Sequence, residues 1–248
     1  MGTAKKTLDK LDFESLRRAI ETPERLVLDP LGAVPRDGTL QDQELSAFIA
    51  AGLAFGNVVS IQRSVRAAIG AYVVQDGSEF VGHRWVRTPD VAALNDGLRT
   101  LQAKHGSLGT LFSEGYEAGD MRNSLSRFSS HVRSLLPTTR GAQYLCSTPD
   151  RGSACKRMNL FLRWMVRRDG VDLGLWPTVS PADLISPLDV HVLRFAQHHG
   201  LTKKKVASWA AAEEVTGWFR RRWPEDPMRY DFAISHSGMM RLDTEDTA

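Results

Sequence analysis

The chain of 248 residues contains only two cysteines, Cys146 and Cys155. They form no C-x-x-C pair, so neither a zinc cluster nor a disulfide framework is expected, and a reduced, intracellular setting is the simplest inference. Long apolar runs are also missing. No stretch approaches the ~20 apolar residues of a membrane helix, so no membrane partner is expected. The opening MGTAKKTLDKLDFESL has no apolar core of a secretory signal. Alternating β-branched residues are scarce, which argues against strands. Internal repeats and low-complexity tracts are absent. Neither charge sign dominates: Lys+Arg number 32 against 29 Asp+Glu, for a formal net charge of +3. That mild basicity permits a nucleic-acid partner without requiring one.

What is present reads as helices. Hydrophobic residues make up 42% of the chain and charged residues 25%, enough for a sizeable core. Apolar residues recur at helical spacing in Phe13 to Glu21, Gln41 to Phe55 (with Thr39 as a cap) and Asn57 to Val74. Gln75 to Arg87 is the one plausible extended segment. Helical patterns resume at about 89–104, 107–118, 120–135, 140–147 and 154–168. Another runs from Asp189 to about His199, where Gly200 supplies a stop, and Thr202 is expected to cap a further helix of about twenty residues. The expectation is an all-α, two-lobed helical bundle: one domain over 1–240, a lobe boundary near 136, and a loose acidic tail at 241–248. The runs Lys203-Lys204-Lys205 and Arg220-Arg221-Arg222 read singly as solvated faces.

Two anchors carry chemistry. The first is Gly152-Ser153-Ala154-Cys155-Lys156, a glycine turn feeding a helix that begins with a lysine. Unpaired backbone N–H groups at such a helix start can take a phosphate. The positive pole of the helix and partial burial both disfavour the ammonium, and a neutral amine is a nucleophile. The second is Ser186-Pro187-Leu188-Asp189-Val190-His191, in which Asp189 stands where a cap belongs. A carboxylate fixed by backbone N–H groups can also steady positive charge or orient an amine. His191 and His198 lack the i, i+4 pairing of a metal site, and no metal ligand set is expected.

A hairpin, a helix-start lysine, an apolar helix and a Pro-x-Asp-x-His helix together resemble the helix-hairpin-helix DNA glycosylase superfamily. Lys156 and Asp189 are the matching positions, and their spacing is similar to the archaeal 8-oxoguanine DNA glycosylase branch. The strings CKRMNLFLRWMVRRDGVDLGLW, PLDVH and YDFA are similar to a related bacterial family over about residues 25–240. The resemblance implies a helix-hairpin-helix DNA-binding element and a base-excision repair glycosylase with AP lyase activity. Such an enzyme removes an oxidised purine, 8-oxoguanine first, from double-stranded DNA through a Schiff base on Lys156. Asp189 would be its essential carboxylate and Asp231, in YDFA, its reader of the purine edge. Arg151, Gly152, Ser153 and Arg157 would meet DNA phosphates. No cofactor is implied, a monomer is expected, and the location would be cytoplasmic and nucleoid-associated. The alternatives are a monofunctional glycosylase for another damaged base and a non-catalytic DNA-binding protein.

Chemistry on a base in a duplex requires extruding it. Flat walls for the extruded base are sought in Trp85, Phe161, Trp164 and Trp176, each of which could equally be core. Arg163, Arg167 and Arg168 share the lysine helix and could face phosphates or solvent.

Overall fold

The computed structural model describes residues 11–237. Two helices set its centre. In helix Leu40–Leu53 every residue from Glu44 to Leu53 is buried. In helix Lys156–Val166 the same holds from Arg157 to Val166. A helix apolar on nearly every face is stable only inside other layers. The two pack on each other, with the Phe48 and Phe161 ring centroids 4.9 Å apart.

The other helices cover this pair. Before the lysine helix come Phe13–Ile20, Pro23–Leu28, Val58–Ile69, Thr88–His105, Leu108–Glu114, Met121–Ser134 and Arg140–Leu145; after it come Val190–His198 and Trp209–Arg220. Residues 231–237 are helical as well. The protein is all-α: among the described residues the only β pairing is two isolated bridges, His83–Val86 and Ser153–Ser208. The expected extended segment at 75–87 shrinks to the first of these. The larger of two apolar clusters runs from Phe13 to Ile234 and draws on both sides of residue 136; the smaller joins Ile20, Val171, Phe232 and Ala233. Among the described residues no helix is long and apolar enough to cross a membrane. The proposed tail at 241–248 lies outside the described residues.

Caps fix most helix starts where the sequence places them. The Thr39 side chain accepts from the Asp42 N–H, and Asp189 accepts from the N–H groups of His191 and Val192. The helix expected to start at Thr202 starts instead at Trp209, capped by Ser208. Thr202 is buried and donates its hydroxyl to Glu214 at 2.7 Å. That bond holds residues 201–207 as a loop against the helix they were expected to join.

Glu44 is the polar hub of the interior and is fully buried. Its carboxylate accepts from the Leu108 and Gly109 N–H groups, each at 2.8 Å, which satisfies the open start of helix Leu108–Glu114. It also accepts from Trp176 Nε1 at 2.8 Å and Gln102 Nε2 at 3.0 Å. Four donors on one carboxylate tie three parts of the chain to the central helix.

Candidate active site around Lys156 and Asp189

The turn before the lysine helix is built to be reached from outside. Helix Arg140–Leu145 ends, Pro149–Arg151 makes one 3-10 turn, and Gly152 takes the left-handed conformation at φ 77°. Arg151, Gly152 and Ser153 are all exposed, and nothing lies within 4 Å of where a Gly152 side chain would point. The chain then turns inward through Cys155, whose φ of 47° is left-handed although it is not glycine. Such a conformation costs of order 1 kcal/mol and is held by its surroundings. Both thiols are buried and unpaired. Burial pushes Cys146 up to about 12 and Cys155 up as well, so neither is a nucleophile.

Lys156 is the first residue of its helix and is half-buried. Its Nζ donates to the Ala54 carbonyl at 3.2 Å. Ala54 caps the C-terminal end of helix Leu40–Leu53, so this amine sits between the positive pole of one helix and the negative pole of another. Phe55, the next residue, opens an aromatic patch. Its ring lies 5.0 Å from Trp85 and 4.8 Å from Tyr144, and Trp85 and Tyr144 are 5.0 Å apart. All three rings are half-buried, and the exposed Arg140 places its guanidinium 4.7 Å from the Trp85 ring centroid. Trp85 Nε1 is buried with no hydrogen-bond partner. Beside Trp85, His83 is buried, bonded to Ser64 and to the Phe55 carbonyl. Phe55 and Tyr144 belong to no motif; the only hint in the sequence is an aromatic residue at or just past a helix end.

Asp189 spends one oxygen on its cap: Oδ1 accepts from His191 and Val192 at 2.9 Å each. Among the described residues Oδ2 accepts nothing, and no hydrogen bond or ion pair links Asp189 to Lys156. The segment carrying Asp189 is nevertheless tied to the lysine helix. Arg163 donates to Asp231 Oδ2 at 2.8 Å, and the Ser186 hydroxyl donates to Asp231 Oδ1 at 3.4 Å. Helix Trp209–Arg220 braces both parts. Its Trp209 N–H donates to the Gly152 carbonyl, and its Thr216 hydroxyl accepts from the Ser186 N–H, both at 2.9 Å.

Other residues singled out from the sequence face inward. Phe161, Trp164 and Trp176 are at most 2% exposed and fill the core. Arg157 is buried, donates to the Tyr144 carbonyl at 2.5 Å and lies 3.4 Å from the Tyr144 ring centroid. Arg163 and Arg167 do not face solvent. They are 2% exposed and pair with Asp172, Asp231, Asp169 and Asp226. The loop after the helix and the chain near 226–231 bring these carboxylates in, which is what lets a charged helix be buried. Arg168 is exposed and donates to the Gly174 carbonyl. Asp231 is itself 8% exposed and borders a cavity of only about 10 Å³ with Ser186, Val192 and Met228. A larger cavity, about 370 Å³, lies behind the turn and is lined by Arg122, Asp183, Trp209, Glu213 and Arg220 among others.

The fold and this arrangement define an all-helical protein with an exposed glycine turn and a sheltered lysine at a helix mouth. The chain belongs to the family described as "Protein of unknown function (DUF2400)", whose model matches residues 29–240. No curated protein and no solved structure matches the chain.

Proposed function

We propose that this protein is a DNA glycosylase with lyase activity that removes an oxidised purine, 8-oxoguanine first, from duplex DNA. The setting of Lys156 carries the reading. An exposed glycine turn leads directly into a half-buried amine at a helix mouth, next to an aromatic patch with an unsatisfied indole N–H. The turn offers backbone and Arg151 to a phosphate. The Phe55–Trp85–Tyr144 patch offers flat surface to an extruded base.

In this reaction the Lys156 Nζ forms a bond to C1′ as the bond from C1′ to the base nitrogen breaks. The free Oδ2 of Asp189 accepts the proton that the new secondary amine sheds. The departing base takes a proton from water, the C1′–O4′ bond breaks to give the imine as O4′ takes the proton held on Asp189, loss of a C2′ proton to water expels the 3′ phosphate oxygen, and water hydrolyses the imine to free Lys156. Support for Asp189 reaching Lys156 comes from the bracing. Ser186 and Gly152 are held seven residues apart along helix Trp209–Arg220, a rise of about 10 Å. The three residues from Ser186 to Asp189 can span about the same distance.

The test is borohydride trapping on duplexes that each carry one lesion. The expected result is a covalent protein–DNA adduct on the 8-oxoguanine duplex, lost in Lys156→Gln. Undiminished base release by Lys156→Gln would remove the lysine from the chemistry. Base release without an adduct would leave a monofunctional glycosylase.

A further inference from the structure

Lys203, Lys204 and Lys205 occupy the loop between helix Val190–His198 and helix Trp209–Arg220, and all three are exposed, as is Val206. The loop has a defined shape. The Lys204 N–H donates to the Thr202 hydroxyl at 3.1 Å, and the Lys204 carbonyl accepts from Gln197 Nε2 at 2.9 Å. Its far end is fastened to the glycine turn by the Ser153–Ser208 bridge and by the Trp209 N–H on the Gly152 carbonyl. Three cations are thus held beside exposed Arg151, Gly152 and Ser153. Among the described residues no carboxylate pairs with them. The nearby Glu213 and Glu214 accept from Trp209 Nε1 and the Thr202 hydroxyl, each at 2.7 Å.

Three exposed lysines with no carboxylate partner, beside the exposed Arg151, concentrate positive potential that draws a polyanion. We propose that the Lys203–Lys205 loop is a second phosphate-binding site, which grips the backbone of the duplex held at the glycine turn. The proposal rests on the DNA reading above and extends it. The loop follows the helix that Asp189 caps. Through the Ser153–Ser208 bridge the loop reaches the glycine turn, so the lysines contact phosphates next to those held there.

The experiment measures binding of a fluorescent, unmodified duplex against salt for wild type, for Lys203→Gln/Lys204→Gln/Lys205→Gln, and for a control, Arg18→Gln/Lys104→Gln. Circular dichroism verifies that each variant is folded. Three lost phosphate contacts flatten the log–log salt slope by about 2.7, so the triple variant's deficit shrinks by roughly 40-fold between about 50 and 200 mM salt. The control keeps the wild-type slope, and the three Lys→Arg changes restore it. Wild type that binds with a slope the triple variant shares overturns the loop site and leaves the DNA reading intact. Flattening of about 1.8 in the control, in proportion to its two charges, overturns it too, since only net charge would then matter. Wild type that binds no duplex at low salt overturns the DNA reading itself.

Discussion

Asp189 holds its helix with Oδ1 alone, and this separates its structural contribution from its proposed chemistry. Asp189→Asn keeps an oxygen acceptor of nearly the same shape, and asparagine is as good a cap, so stability changes little. Asp189→Ala loses the cap at about 1 kcal/mol. Both remove the negative charge. If Oδ2 takes the proton from Lys156, both variants lose about 100-fold or more in single-turnover base release, although only the alanine variant melts earlier. Activity that follows melting temperature would assign Asp189 to the cap alone. Lys156 and Asp189 were legible in the sequence because helix starts follow local rules: a glycine turn, a capping side chain and an apolar period. Phe55, Tyr144 and Ala54 were not. Ala54, with Phe55 next to it, meets Lys156 by tertiary packing across about a hundred residues, and Tyr144 joins the patch through the distant Phe55 ring, which no local pattern encodes.

Among the elements, helix Leu108–Glu114 depends on a carboxylate 64 residues away. Glu44→Gln replaces one acceptor oxygen with an NH₂ group in a site where every neighbour is a donor: Leu108, Gly109, Trp176 and Gln102. A buried donor facing donors costs about 1–3 kcal/mol for each group left unsatisfied. The variant should unfold at clearly lower urea, with the same dependence on urea concentration. Faster amide exchange should be concentrated in residues 107–115. Unchanged exchange there would show that the carboxylate is not what closes this helix. Helix positions were read well from the sequence, because their periodicity and caps are local. The loop at 201–207 was misread because Thr202 matches the cap preference, while its hydroxyl is taken by Glu214 from the next helix. The lysine helix was read as amphipathic with its arginines outward. Period alone cannot distinguish an exposed arginine from one neutralised by aspartates farther along the chain.

At the scale of the whole molecule, the buried ionic cluster ties the lysine helix to the chain's later segments and sets how stability responds to pH. Two guanidinium groups, Arg163 and Arg167, face four carboxylates, Asp169, Asp172, Asp226 and Asp231. Breaking this balance is costly: Arg163→Met strands Asp231, leaves Asp172 with Arg167 alone, and should lose about 3–5 kcal/mol in urea unfolding. The loss should be smaller at acid pH, where these carboxyls can take up protons. Negative charge is in excess even in the wild type. Burial pushes Asp172 up to about 6 despite its two arginines. Burial also pushes Glu21 up to about 7, with Asp169 and Asp172 adding to the shift and Arg17 and Arg167 opposing it. Between the ordinary carboxylate range and about pH 7, the native state therefore holds protons that the unfolded chain has released, and stability falls as pH rises. His83 and His236 act in the opposite sense. Burial pushes both down, so the unfolded chain gains protons that the native state refuses, and stability falls as pH drops through the ordinary histidine range. Glu21→Gln isolates the first effect, because it leaves the histidines in place and removes one group that must ionise inside. Its melting temperature should exceed that of wild type by a margin that grows from about pH 5 to about pH 8. A margin that stays constant across that range would mean Glu21 ionises in the native state as readily as in the unfolded chain, and the charge excess would then have to be neutralised elsewhere in the cluster.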